Sequence, residues 1–150
     1  MLRVVHSPIV VLIESNEAIR RAQRVALFLE GYEVHDGAEL ADIRIPEAQD
    51  PAFVVVCAGA CGGRVLDLFG HVAREYAQAI RVLTTKRVGV RIRDALATGR
   101  VHEVLVQPFA PEALPQRLRQ VERRVFERKP VHRSGGVTGP ALARIWPKHG

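Results

Sequence analysis

Residues 9–22 read IVVLIESNEAIRRA, and the fold turns on how this stretch is read. Ile9–Ile13 is an uninterrupted apolar run of strand length, without the alternation that would give one face to water. Such runs belong to strands covered on both faces. Ser15 and Asn16 follow as candidate N-caps of a helix whose apolar positions Ile19, Ala22, Ala26 and Leu29 predict its buried face, with Gly31 to end it. A buried strand running through the polar pair Glu14-Ser15 into a helix is the first half of a βα unit.

The unit recurs along the chain. Residues 32–35 predict a second strand, with Asp36-Gly37 as the turn after it. The region 38–49 is the least regular, since Pro46 falls where a helix should continue, and a short or distorted helix is expected there. Phe53–Cys57 is a third apolar run, followed by a loop containing Gly59, Gly62 and Gly63. Residues 64–79 then predict a helix with Val65, Leu68, Phe69, Val72 and Tyr76 on one face. Residues 80–84 form a fourth strand, residues 88–98 a helix turning Val88, Ile92, Ala95 and Leu96 inward, and residues 101–106 a fifth strand. The last helix begins at Pro111 and presents Leu114, Leu118, Val121 and Val125. Pro115 lacks the donor that would bond the Pro111 carbonyl, so a kink or a tightened first turn is expected.

Five strands alternating with helices on short connections imply an α/β fold, a doubly wound open parallel sheet with helices on both faces, because right-handed crossovers return each helix to the sheet. Ligands meet such sheets at the carboxyl ends of the strands. Those ends carry Glu14 and Ser15, Cys57, Thr84 and Gln107.

A chain of 150 residues, 47% hydrophobic and 25% charged, suits one domain with a sizeable core. Two cysteines without a repeating spacing speak against a disulfide-stapled secreted scaffold and for a reducing, cytoplasmic setting. The run at Ile9–Ile13 is too short to cross a bilayer and enters Glu14 without a small-residue cleavage site, so neither a membrane span nor a leader is expected. The formal charge of +6 is unevenly spread. Arg128, Lys129, Arg133, Arg144 and Lys148 supply five of those six charges, with no acidic residue after Glu127. That segment also holds Pro130, Ser134-Gly135-Gly136, Gly139-Pro140 and Pro147, a composition too poor in apolar groups to offset ordering entropy. The expected organisation is a domain over residues 1–127 and a basic, flexible tail over 128–150. Within the tail, Trp146 beside Ile145 is an aromatic anchor of the kind that folds on contact with a partner.

The chain resembles the receiver domain of two-component response regulators, the CheY-like, flavodoxin-type fold of strand order 2-1-3-4-5. The resemblance spans about residues 9–125 and rests on VVLIESNEAIRRA at 10–22, the strand ending at Cys57, and VLVQPF at 104–109, with GYEVHDGAEL at 31–40 in support. In that family two acids after the first strand hold magnesium, and an aspartate after the third is phosphorylated. A threonine or serine after the fourth strand and a lysine after the fifth bind the phosphoryl group. The resemblance carries those roles to Glu14 and Ser15, to Cys57, to Thr84 and to Gln107, of which only Thr84 and one acid match. A thiol cannot form the acyl phosphate, and Glu14 alone is a poor magnesium site, so no metal or cofactor is expected. Neutral Gln107 in place of lysine avoids a buried ammonium with nothing opposite it, a cost of about 3–5 kcal/mol by analogy with broken buried pairs. The switch position in the fifth strand, aromatic in the family, is Val104, which has no ring to rotate.

The expected function is therefore that of a phosphorylation-independent pseudo-receiver, a non-enzymatic signalling module. It would meet a protein partner, or a second copy of itself, on the face of the last two helices and the fifth strand. The alternative is a nucleic-acid-associated regulator anchored by the tail residues Arg128, Lys129, Arg133, Arg144, Trp146 and Lys148. The helix arginines 20, 21, 24, 117, 119, 123 and 124 lack a helix-turn-helix or interleaved aromatics and read as solvated faces. Cys57 reads first as a buried small hydrophobe. A Cys57/Cys61 redox pair and a Cys57 nucleophile stand as weaker readings, the latter without a histidine to place beside it. The six histidines show no ligand spacing, and the glycine loop lacks the lysine and serine of a P-loop.

Overall fold

The computed structural model describes residues 7–128, with the backbone alone at Arg128. Five parallel strands stand in the order β2-β1-β3-β4-β5. They are β1 (Ile9–Ile13), β2 (Glu33–Gly37), β3 (Phe53–Cys57), β4 (Ile80–Thr85) and β5 (Glu103–Val106). The helices are α1 (Glu17–Leu29), α2 (Val65–Glu75), α3 (Val90–Thr98) and α4 (Ala113–Arg128). Strands β1, β3 and β4 are buried at every residue, as the apolar runs predict for central parallel strands. Alternation along them builds a core on each face of the sheet. Ile9, Val11, Ile13, Val54 and Val56 pack with Val65, Phe69 and Val72 of α2 and Ala95 of α3. Val10, Leu12, Phe53, Val55 and Val82 pack with Leu27 of α1 and Leu114, Leu118 and Val121 of α4. Among the described residues no helix is long and apolar enough to cross a membrane.

Several local expectations need correction. Asp36 and Gly37 are not a turn: they continue β2, paired with Leu12 and Ile13, because β1 extends far enough to keep the ladder running. The irregular region does hold the short, distorted helix expected there, a 3-10 turn at Leu40–Asp42, so the chain has four α-helices among its described residues. Helix α2 stops at Glu75, since the chain must turn through Ala79 to let Ile80 pair with Ala52. Leu96 of α3 faces solvent, and only Ala95 is buried on that helix. The buried positions of α1 are Gln23 and Leu27, whereas Ile19 and Leu29 are exposed. This rotation has a cause: Arg20 points to the sheet mouth, donating to the Glu14 carbonyl at 2.8 Å and to Asp36 at 3.1 Å.

Pro115 acts as expected. The Leu114 N–H takes the Pro111 carbonyl and Ala113 N–H takes that of Ala110, so α4 opens on tightened i to i−3 bonds. At the opposite edge Arg81 is buried within β4, its guanidinium donating to the carbonyls of Gly99 at 2.9 Å, Arg100 at 2.8 Å and Ala79 at 3.3 Å. Its backbone N–H donates to His102 Nδ1 at 2.9 Å. Burial first, then the Arg81 and Arg124 charges, push the His102 pKa down to about 4.

Two predictions follow from these contacts. A Cβ on Gly37 would stand 2.8 Å from Asp42 Cβ and 3.1 Å from Ile43 Cγ1, so Gly37→Ala should lower unfolding stability in urea by about 1–3 kcal/mol. His102 is held neutral in the fold but titrates from 6.5 when unfolded, so its contribution is full above 6.5 and is lost as pH falls towards about 4. His102→Asn, which keeps an acceptor for the Arg81 N–H without a titrating ring, should flatten that acid limb in pH-dependent urea melts.

Candidate functional site

The carboxyl ends of the central strands form the mouth of the sheet, and register sets what meets there. Cys57 is paired with Thr84, and Val56, the residue before Cys57, with Ile13, the residue before Glu14. Glu14 is 3% exposed and Thr84 2%. The Glu14 backbone N–H donates to the Gly37 carbonyl at 3.1 Å, which ties the mouth to β2. Its Oε2 accepts the Asn16 N–H at 2.9 Å, while Asn16 caps α1 through the Ile19 N–H. Ser15, the other candidate cap, is exposed, so of the expected site residues it alone stands outside the cluster.

Cys57 lies at the centre. Its Sγ is 3.9 Å from Gln107 Oε1, reached across the sheet from the end of β5, where Gln107 is held by its N–H to the Thr85 carbonyl at 2.7 Å and precedes a cis peptide to Pro108. Burial raises the Cys57 pKa above the ordinary thiol value of 9.0. The Gly59 N–H opposes the rise, followed by the Glu14 charge, which adds to it, then by Thr84, which lowers it, and last by a hydrogen bond to the Glu14 carboxylate, which raises it. Glu14 Oε1 is buried without a hydrogen-bond partner, and the Cys57 thiol donates instead to Gln107 Oε1. The thiol thus stays protonated at neutral pH and serves as a donor to Gln107 Oε1 beside the Glu14 carboxylate.

This donor set does not fit magnesium, which wants hard oxygen ligands: one carboxylate is present, the second acid is replaced by the exposed Ser15, and the third place is sulfur. Among the described residues no group of three or more His, Cys, Asp or Glu is gathered around a common point. Cys61 closes the 3-10 turn Ala58–Cys61 that follows β3 and is a free thiol, as is Cys57. Its pKa too is raised, by burial and then by Cys57. Val104 packs against the core on the α2–α3 side, a position from which a branched side chain has no swing. Sequence reading missed Arg20 and the Gly59 N–H. A cation one turn into the helix after a mouth acid could have flagged the first, whereas nothing in the residue types marks the second. The tail residues Lys129, Arg133, Arg144, Trp146 and Lys148 lie outside the described residues, and Arg128 ends α4.

With the mouth defined, comparison with known proteins gives the class. No family model matches the chain, and no curated protein matches it by sequence. Solved structures match it as a fold. A CheY-like response regulator receiver domain protein from Methanospirillum hungatei JF-1 superposes with TM-score 0.68 at 13% identity, over 81% of this chain and 98% of that one. The signal receiver domain of an HD domain-containing protein from Pseudomonas fluorescens Pf-5 gives TM-score 0.68 at 21% identity, over 85% and 96%. An orphan response regulator of H. pylori gives 0.60 at 13%, over 79% and 98%. The fold is thus that of CheY-like receiver domains, a five-stranded parallel sheet of order 2-1-3-4-5.

The raised thiol pKa makes a prediction. A protonated buried thiol contributes stability that is full below 9.0 and is lost as pH rises through the higher folded value. Urea stability should therefore fall on the alkaline side of 9.0, less so in Cys57→Ala, and maleimide should label native Cys57 far more slowly than the unfolded chain at neutral pH.

Proposed function

We propose that this protein is a phosphorylation-independent receiver-fold module, a non-enzymatic pseudo-receiver that signals through protein contacts. The observation that carries the reading is the protonated Cys57 thiol held between Glu14 and Gln107 beside Thr84, where a phosphate-accepting site needs a carboxylate with a cation opposite. Sulfur in that place offers no route to an acyl phosphate, and neutral Gln107 leaves no cation to hold one. The loss of acceptor, second acid and cation together supports a pocket released from phosphoryl transfer.

The contact face is that of α3, β5 and α4, where Val90 and Val106 stand exposed. Scattered apolar residues are ordinary on a surface, and these two gain weight from flanking the mouth-bearing end of β5. The helix arginines add little to the nucleic-acid alternative. Arg20 and Arg24 pair with Asp36, Arg21 with Glu17, Arg119 with Glu30, and Arg117 and Arg124 with Glu103, so these six cations are engaged by four carboxylates within the fold.

Incubation with magnesium and acetyl phosphate should leave the intact mass unchanged. A stable gain of one phosphate at any mouth residue would overturn the reading. Binding of a cognate protein partner should be indifferent to the phosphodonor and weakened at least tenfold by Val90→Glu with Val106→Glu, as expected when a central apolar contact worth about 1.4 kcal/mol or more is lost.

A further inference from the structure

The apolar stripe that the sequence assigns to the core side of α1 is real, yet it faces outward. Ala22, Val25, Ala26 and Leu29 form one wall of a groove of about 720 Å³, and Pro111 and Pro115 at the start of α4 form the other. Val25 is 48% and Leu29 73% exposed, so the groove is open along its α1 rim. One end is marked by the Arg119–Glu30 pair at 2.7 Å, which links α4 to the end of α1. A cleft of this volume, with alanines in its wall and larger apolar groups at its rim, suits a short segment bearing one bulky anchor.

The chain itself supplies such a segment. Residues 140–146 read PALARIW, placing Leu142, Ile145 and Trp146 at i, i+3 and i+4, the spacing with which a helical turn lays one apolar side into a groove. Pro140 precedes the run, where a first helical residue favours proline, and Pro147 closes it. Reach is no obstacle. From Arg128 back to Arg119 in the groove is about 14 Å along the helix at 1.5 Å per residue. The chain from Arg128 to Leu142 can extend to about 46 Å at 3.3 Å per residue. We propose that residues 140–146 dock intramolecularly in the α1–α4 groove, with Leu142, Ile145 and Trp146 against Ala22, Val25, Ala26 and Leu29. The tether favours this occupant over a free one, because it keeps the segment at a high effective concentration beside the groove. The covered face lies on the opposite side of the sheet from α2 and α3, so docking leaves the mouth and the exposed Val90 free.

Trp146 is the single tryptophan, which makes the test direct in the full chain. Its native emission should be blue-shifted and its acrylamide quenching several-fold weaker than in the urea-unfolded chain, independent of protein concentration. Leu29→Glu at the exposed rim, and separately Leu142→Asp, which leaves residues 7–128 untouched, should each return both readings to the unfolded values while far-UV circular dichroism is kept. A native Trp146 already as red and as quenchable as in urea would overturn the proposal, as would a blue shift that neither variant moves. A shift that appears only with rising concentration would assign the groove to the segment of a second copy and refute the intramolecular contact.

Discussion

The structure depends on three strands with no residue in water. Because β1, β3 and β4 are buried on both faces, no polar side chain can be accommodated along most of their length without a matched partner, and chemistry is confined to their ends. The pairing of Cys57 with Thr84, and of Ile13 with Val56 one step before Glu14 and Cys57, follows from that confinement. The mouth is where the sheet first permits polar groups, and its members are held by backbone register before any side-chain bond is made.

Within this frame the mouth has reached a different electrostatic balance from that of a phosphate-binding site. Glu14 is the acid of the cluster of Glu14, Cys57, Thr84 and Gln107, with its Oε2 accepting the Asn16 N–H and its backbone carbonyl accepting from Arg20. A thiol is a weak donor, and here burial first of all keeps its proton in place, directed to Gln107 Oε1. The result is a set of contacts that ties the ends of β3, β4 and β5 together while one oxygen of Glu14 stays without a hydrogen-bond partner.

How much of this was legible in the residues depends on what set each feature. The central strands could be read because uninterrupted apolar runs mark them, and the site residues because strand ends are where such runs stop; the order of the sheet came from the family resemblance. Orientation of α1 could not: its apolar stripe points outward because Arg20 and Gln23 turn inward, and a side chain's distant partner leaves no periodic trace. The end of β2 was misjudged because Asp-Gly marks a turn only if the neighbouring strand has finished, and β1 had not. Pro46 warned correctly that the second helix would be short or distorted, and a single 3-10 turn stands there.

Arg81 has a further bearing on how this domain can vary. Helix α3 is held at its end by two carbonyl bonds from one guanidinium, to Gly99 and Arg100, and buries little beyond Ala95. An anchor made of directional bonds fixes where a helix sits while asking almost nothing of the side chains along its length. The outward residues of α3 are therefore free to drift, and a surface that must be retuned for new encounters is best carried on an element whose seat does not depend on its composition.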